Sequence, residues 1–287
     1  MKAVRARVRG AVSILNAIPA GIGGGLGIDL YAEAEARLID GSGGVEALVP
    51  GGEDPRLVVE TAETVLRHAG KHGLGIRVET RSNIPIGRGL KSSSAVSDAV
   101  ALAVARLIGF EAADEEVVKL AVEASISAGV TITGAYDDAY TCFFGGVNVT
   151  DNHAGRVLLR MPAPEDLLVA ISIPERRIYT RTIDVEELGK VREICLKAAK
   201  LALAGRIWQA MTLNGVAIAS ALDLDLEPIL AALRSGALAA GVSGTGPAIA
   251  AVTKPGEVER VRSVLEPYGR VIVCRPNNRR ASWEVLG

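Results

Sequence analysis

The residues with the clearest capacity for chemistry lie in one short segment, Pro85–Ala95, which reads PIGRGLKSSSA. Gly87 and Gly89 allow the backbone to fold closely around a ligand, because glycine adopts dihedral angles that other residues avoid. Ser92–Ser94 then supply three hydroxyls and three amide groups in a row. Such a loop is suited to binding an anion through its backbone.

The position of this loop in the predicted secondary structure indicates which anion. A long apolar segment predicts a helix from about Ser92 to Ile108. The first N–H groups of a helix have no partner inside the helix, and the helix dipole places roughly half a positive charge there. Lys91 adds a full positive charge in the same turn, and Arg88 is a second candidate cation. We therefore predict a phosphate site at this helix N-terminus.

Two familiar nucleotide motifs do not explain the loop. A Walker loop requires glycine immediately before Lys-Ser/Thr, whereas Leu90 precedes Lys91 here. The glycine-rich run Gly21–Gly27 follows a predicted strand but leads into another strand, so it does not match a dinucleotide fingerprint, which opens a helix. The predicted phosphate site is therefore of a different type.

A pair of carboxylates is the second chemical feature. Asp137 and Asp138 lie in the segment Gly134–Phe144, which ends at the glycine pair Gly145-Gly146. A carboxylate beside a phosphate site can orient or deprotonate an acceptor hydroxyl. Because neighbouring residues on a helix point about 100° apart, we expect only one of the two to face the site.

The elements that must position these residues begin with a strand in which Val4, Ala6 and Val8 alternate with arginines. The linker between this strand and the next is expected to be irregular, because it reads NAIPAGIGGGLGI. Further predicted elements, in order, are a strand at Leu30–Leu38, a helix at Pro55–Lys71, a strand at Gly75–Arg81 and a helix beginning at Asp114.

The second half of the chain predicts a separate set of elements. The segment His153–Glu165 carries a glycine and two prolines and is the best candidate boundary, so we predict domains at 1–155 and 156–287. Beyond it come a strand at Leu167–Ile173, helices at Val185–Ala204 and Ile207–Ala221, a glycine-rich turn at Gly241–Gly246, a helix at Gly256–Tyr268 and a strand at Arg270–Arg275. Mixed helices and strands without strict alternation favour an α+β fold in two domains.

Composition excludes several classes of partner and site. The chain has 32 basic and 33 acidic residues, a net charge of −1, which argues against nucleic acid or an anionic membrane as the main partner. Cys142, Cys195 and Cys274 lie far apart and match neither a disulfide framework nor a zinc site. With no apolar segment of about 20 residues, we expect a cytoplasmic protein that neither spans nor coats a membrane.

Three segments together resemble the GHMP kinase superfamily (galactokinase, homoserine kinase, mevalonate kinase and phosphomevalonate kinase). The loop Pro85–Ala95 resembles its phosphate-binding signature, Asp138 with Gly145-Gly146 resembles its catalytic-aspartate helix, and Gly241–Gly246 (GVSGTG) resembles its late glycine loop. The resemblance implies an ATP- and Mg²⁺-dependent small-molecule kinase. Its nucleotide site would lie between an N-terminal α+β domain and a C-terminal ferredoxin-like α+β domain.

The resemblance also implies roles for individual residues. Counting back from Gly145, Asp138 is the preferred catalytic residue, with Asp137 as the alternative and Lys91 beside them. Magnesium would be held by a hydroxyl of Ser93 or Ser94 and by the carboxylate of Glu123. The residues expected to bind ATP are Pro85, Ile86, Gly87, Arg88, Gly89, Leu90, Lys91, Ser92, Ser93, Ser94, Ala95, Gly244, Thr245 and Gly246.

One part of the pattern departs from the superfamily. Many members carry a basic and an acidic residue in the first motif, where this chain has Ser13 and Asn16. Activation of the acceptor by a lysine from that motif is therefore in doubt.

Within the superfamily, GRGLKSSSA and GVSGTGPA resemble the archaeal type of shikimate kinase. That resemblance implies transfer of the ATP γ-phosphoryl group to the 3-hydroxyl of shikimate, a small-molecule substrate. Another kinase of the superfamily, homoserine kinase first, is the alternative, and a nucleotide-binding sensor without catalysis is a third reading. The sequence does not indicate the oligomeric state or which residues bind the acceptor.

Overall fold

The computed structural model describes residues 3–39, 43–131, 134–176, 178 and 183–287, and these form two sheets with associated helices. The strands are β1 (Ala3–Leu15), β2 (Ile22–Leu38), β3 (Gly44–Leu48), β4 (Gly75–Ser82), β5 (Val147–Asp151), β6 (Arg156–Met161), β7 (Leu168–Ile173), β8 (Ala239–Val242), β9 (Ile249–Thr253), β10 (Arg270–Cys274) and β11 (Ser282–Leu286). The helices are α1 (Arg56–His68), α2 (Ser92–Leu107), α3 (Asp114–Ser127), α4 (Tyr136–Phe144), α5 (Val185–Gly189), α6 (Arg192–Leu203), α7 (Ile207–Ala221), α8 (Glu227–Arg234) and α9 (Val258–Leu265).

The first sheet has the strand order β11-β1-β2-β4-β3, and β5 and β6 extend it from one end of β2. Helices α1 to α4 pack against one another, with α2 and α4 lying directly on β1 and β2. The predicted alternation in β1 is confirmed: Val4, Ala6 and Val8 are fully buried. On the opposite face Arg5 pairs with Glu35 at 3.0 Å and Arg7 bonds Glu33 at 2.7 Å. The sheet therefore has one apolar face and one face of cross-strand ion pairs.

The second sheet is antiparallel, with the strand order β10-β7-β9-β8. Numbered within this unit, the order is 4-1-3-2, with helices between the first and second strands and again between the third and fourth. This arrangement is the ferredoxin-like one that the family resemblance implied for the C-terminal part. The expected α+β class is likewise confirmed.

The chain crosses between the two halves more than once. Strand β6 pairs with β5, so the predicted boundary at 155 falls inside a hairpin of the first sheet. The last strand, β11, returns from the C-terminal half to pair with β1. One buried apolar cluster includes residues of both sheets and of α6 and α7. The two halves consequently share a core.

Among the helices that the structure describes, none is long and apolar enough to cross a membrane.

Candidate active site

A cavity of about 490 Å³ opens where α2 begins. Its wall brings together residues from the three segments that the sequence singled out. Among the predicted site residues, those that line it are Pro85, Ile86, Gly87, Gly89, Leu90, Lys91, Ser92, Ser93, Ser94, Asp137, Asp138, Gly244 and Thr245. Arg88, Ala95, Gly246 and Glu123 are not part of this lining.

The loop before α2 takes its shape from three residues in the left-handed region. Gly87, Gly89 and Lys91 have φ values of 66°, 79° and 64°. Such a φ is uncommon for a residue other than glycine and is typical of functional sites. Lys91 is the N-cap of α2, and within the described chain no side chain caps this helix end. The first amides of α2 are therefore available to an anion, which the predicted phosphate site requires.

A buried ion pair lies next to this helix end. The Lys91 Nζ is 2.8 Å from the Asp138 Oδ1, and the two side chains are only 5% and 21% exposed. Burial acts to lower the pKa of Lys91, but the negative charges of Asp138 and Asp137 more than offset it, so the net pKa is raised. Lys91 therefore stays positively charged inside the cavity wall.

Asp137 has a different environment from its neighbour. It is buried, and the Asn152 Nδ2 donates a hydrogen bond to its Oδ1 at 2.7 Å. Burial raises the pKa of Asp137 to about 7, the charge of Asp138 acts in the same direction, and Lys91 and Asn152 oppose the shift. The expectation that only one aspartate faces the site is wrong, because both line the cavity. They lie in the first turn of α4, so the end of the helix rather than one side meets the cavity.

The glycine run beneath α4 explains how this helix reaches its position. Gly23, Gly24 and Gly25 lie inside β2, so the prediction of an irregular linker there is wrong. A Cβ on Gly23 would lie 2.3 Å from the Asp137 Oδ2, and one on Gly25 would lie 3.0 Å from Thr141. The run lets α4 pack directly on the strand, because glycine is the one residue without a Cβ.

The glycine pair after α4 is explained by a backbone contact. The segment 275–281 passes over this turn, and the amide of Gly146 donates to the carbonyl of Asn277 at 2.7 Å. A Cβ on Gly145, whose φ is 67°, would lie 2.8 Å from the same carbonyl oxygen. The pair therefore admits the C-terminal segment that holds the end of α4.

The late glycine loop also reaches the cavity. Gly244 and Thr245 line it, and a Cβ on Gly244 would lie 3.4 Å from the Lys91 Nζ. Gly244 and Gly246 have φ values of 63° and 81°. The late glycine loop thus comes close to the phosphate loop because Gly244 and Gly246 adopt left-handed backbone conformations, which would be strained in residues with a side chain.

The structure does not bring Glu123 to the cavity. Its carboxylate is 2.8 Å from Arg67 and 3.4 Å from His68, and the Glu123 side chain is 45% exposed. The residue of α3 that lines the cavity is Ser125, two positions further along. Two residues correspond to a rotation of about 200° around a helix, so Glu123 faces α1 instead. The geometry does not support its assignment as a magnesium ligand.

A second buried carboxyl lies behind the loop. Asp98, on α2, is fully buried, and neither of its carboxyl oxygens has a hydrogen-bond partner in the part of the chain that the structure describes. Burial raises the pKa of Asp98 well above its usual value, which favours the neutral acid. It does not line the cavity, so it is a buried acid beneath the loop.

Two contributors to the site were not given a place in it by the sequence analysis. Asn152, which orients Asp137, is the first residue after β5 and belongs to no motif. Asn16 lines the cavity because its segment between β1 and β2 packs against the late glycine loop. In both cases the contact joins residues that are distant in the sequence or in different elements, and no local pattern indicates it.

Comparison with known proteins finds matches to both halves of the chain. Residues 56–146 match the family model "GHMP kinases N terminal domain", and residues 196–270 match "GHMP kinases C terminal". The chain is 42% identical to a shikimate kinase of Methanothermobacter thermautotrophicus over 97% of this chain and 98% of the relative. It is 40% identical to a shikimate kinase of Pyrococcus furiosus, over 92% and 95% of the two chains.

Solved structures share the fold at lower identity. Homoserine kinase from Cytophaga hutchinsonii superimposes with a TM-score of 0.77 at 21% identity, covering 98% of this chain and 97% of that one. The Methanococcus jannaschii mevalonate kinase gives a TM-score of 0.75 at 16% identity, covering 96% and 98%. At these identities the likeness concerns the fold alone.

Proposed function

Because the chain belongs to the GHMP kinase family, we propose that it is a shikimate kinase, which transfers the γ-phosphoryl group of ATP to the 3-hydroxyl of shikimate. The observation that carries the proposal is the meeting, in one cavity, of the N-terminus of α2 with the buried Lys91–Asp138 pair. The choice of acceptor is supported by the shikimate kinases that share about 40% identity over nearly the whole chain.

The phosphate loop is suited to the ATP phosphates. The amides from Gly89 to Ser94 surround the start of α2, and the positive end of the helix dipole faces the same space. Lys91 supplies a positive charge, because the neighbouring aspartates raise its pKa and keep its amine protonated. Positioning and charge neutralisation are the main requirements of phosphoryl transfer, and this wall provides both.

The residues present also fit Mg²⁺ bound with the nucleotide. No group of three or more His, Cys, Asp or Glu side chains in the described ranges is arranged to hold a metal by itself. The hydroxyls of Ser93 and Ser94 are hard oxygen donors of the kind that Mg²⁺ prefers, together with phosphate and water. The ion would neutralise charge on the phosphates.

Asp138 is the candidate for activating the acceptor. Lys91 holds one of its carboxylate oxygens, Oδ1. In the reaction the acceptor hydroxyl oxygen bonds to the γ-phosphorus, the bond to the β–γ bridging oxygen breaks, ADP leaves, and the hydroxyl proton passes to Asp138. The lysine of this pair comes from the phosphate loop and not from the first motif, where this chain has Ser13 and Asn16.

The lining of the cavity is mixed in character, which supports its use by two different substrates. Val49, Leu57 and Val130 contribute apolar side chains of the kind that suit a flat purine base. Asn16 and the aspartate pair contribute polar groups of the kind that suit a polyhydroxylated acid.

The test is a coupled assay of ADP release with ATP and one acceptor at a time: shikimate, homoserine, mevalonate or galactose. We expect acceptor-dependent ADP release with shikimate, and a product heavier by one phosphoryl group by mass spectrometry. ADP release with homoserine alone would show that the chain is a kinase with homoserine, and not shikimate, as its acceptor. Nucleotide binding without release for any of the four would favour the sensor and overturn the proposal.

A further inference from the structure

Two buried serines, both outside the cavity lining, connect the phosphate loop to the late glycine loop. The Ser243 Oγ donates a hydrogen bond to the carbonyl of Gly89 at 2.7 Å. The same hydroxyl accepts a hydrogen bond from the amide of Ser13 at 3.1 Å. Ser243 is fully buried and Ser13 is 3% exposed. A chain of bonds therefore runs from β1 through Ser243 to the phosphate loop.

The reverse connection uses the side chains of the first motif. The Ser13 Oγ accepts a hydrogen bond from the amide of Gly244 at 2.9 Å, and the Asn16 Nδ2 donates to the carbonyl of Gly244 at 2.8 Å. Both polar groups of the Gly244 backbone are thus held by β1 and the segment that follows it. The two residues that departed from the family pattern are engaged in holding the late glycine loop.

The bond to Gly89 fixes the direction of a peptide group. In a trans peptide the carbonyl and the following N–H point in opposite directions, so a Gly89 carbonyl turned toward Ser243 turns the Leu90 N–H away from it. A carbonyl turned toward bound phosphate would instead repel it. The contact is also tight, because a Cβ on Gly89 would lie 1.9 Å from the Ser243 carbonyl oxygen.

We propose that Ser243, supported by Ser13, is a positioning residue that sets the orientation of the Gly89–Leu90 peptide for nucleotide binding. The proposal rests on the proposed function only in that the cavity binds a nucleotide. It predicts that loss of the Ser243 hydroxyl weakens the binding of ADP and raises the KM for ATP. The KM for the acceptor should change much less, because the one hydrogen bond that this hydroxyl donates goes to the phosphate loop.

The experiment compares Ser243→Ala with Ser172→Ala. Ser172 is also fully buried in the C-terminal half, and its hydroxyl donates to the carbonyl of Leu265 at 3.3 Å. Both variants lose one buried donor to a backbone carbonyl, so both are expected to melt at a lower temperature than the wild type. ADP affinity by calorimetry should fall roughly tenfold in Ser243→Ala and stay at the wild-type value in Ser172→Ala.

Ser13→Ala provides a second, milder variant, because it leaves the Ser243 hydroxyl in place and removes only the acceptor for Gly244. It should weaken ADP binding by roughly threefold, and it carries the test if Ser243→Ala is unfolded at the assay temperature. Wild-type ADP affinity in folded Ser243→Ala or, failing that, in Ser13→Ala would overturn the inference. Failure of the wild type itself to bind ADP would instead contradict the proposed function.

Discussion

Asp137 and Asp138 are adjacent in the sequence, yet the fold gives them different tasks. Asp138 is held by the ammonium of Lys91, while Asp137 is held by the amide of Asn152 and lies over β2. Burial raises the pKa of Asp137 to about 7. One carboxylate is therefore anchored by a cation at the cavity wall, and the other changes its charge near neutral pH.

We predict that the two aspartates differ in the kind of kinetic defect that their replacement causes. Asp138→Asn should lower kcat by roughly a hundredfold or more, with ADP affinity nearly unchanged, because it removes the proton acceptor but not the phosphate loop.

In the wild type, kcat/KM should rise as pH increases through about 7, where Asp137 loses its proton. Ionised Asp137 then places a second negative charge next to the proton that Asp138 accepts.

Asp137→Asn checks this pH dependence. Asparagine is neutral at every pH, so the variant should show a flat profile in this range, at the rate that the wild type reaches on the acid side. Glu123→Gln is the matched control, since Glu123 faces Arg67 outside the cavity and should keep wild-type turnover and Mg²⁺ dependence. A wild-type rise that persists in Asp137→Asn would show that another group titrates.

At the level of elements, α4 is positioned from two sides by glycines. The run in β2 admits the helix from below, and Gly145-Gly146 admit the segment 275–281 at its end. Buried aromatic rings pack along the helix: Tyr140 and Phe144 lie 4.4 Å apart between ring centroids. The position of the aspartate pair is thus set by packing around α4.

A side chain at Gly23 should displace α4. In Gly23→Ala, the added Cβ would lie 2.3 Å from the Oδ2 of Asp137 if neither moved, so the carboxylate or the helix must move. We expect a stability loss of about 1–3 kcal/mol and a fall in kcat of roughly tenfold or more, with ADP affinity retained. Steady-state kinetics and chemical denaturation measure the two effects.

Gly256→Ala is the control for this change, because a Cβ at Gly256 meets nothing within 4 Å. It should leave both kcat and stability close to those of the wild type. Turnover at the wild-type level in Gly23→Ala would show that α4 tolerates displacement, and that the glycine run has no part in positioning Asp137.

These elements also show what the sequence could predict. The phosphate loop was predicted because its glycines, lysine, serines and the following helix are contiguous. The role of Gly23 was not, because the deciding contact comes from a helix more than a hundred residues later. Glu123 was carried over from the family resemblance alone, and the geometry does not support it. A resemblance can place a residue on a helix without fixing the side of the helix that it faces, and the two positions from Ser125 to Glu123 correspond to a rotation of about 200°.

At the scale of the whole molecule, the two halves are tied together by strands and by a shared core. Strand β11 pairs with β1, and the carbonyl of Gly27 accepts a hydrogen bond from the amide of Asn277, in the segment that leads to β11. Trp208 on α7 packs against the same apolar cluster that contains β1 and β2. Trp283 on β11 lies 5.9 Å from Arg106 of α2 and is half exposed.

This connectivity predicts a single unfolding transition, which is not the default for a chain of 287 residues. Each single variant leaves one tryptophan, so the fluorescence of Trp208→Phe reports on β11 and that of Trp283→Phe reports on α7. Both fluorescence transitions should have the midpoint that far-UV circular dichroism gives. ADP at roughly 100 times its Kd stabilises the folded state by about 2.7 kcal/mol, so it should raise both midpoints equally. Because the cavity is built from both halves, a nucleotide that shifted only one tryptophan transition would mean that the halves unfold independently and that the shared core does not couple them.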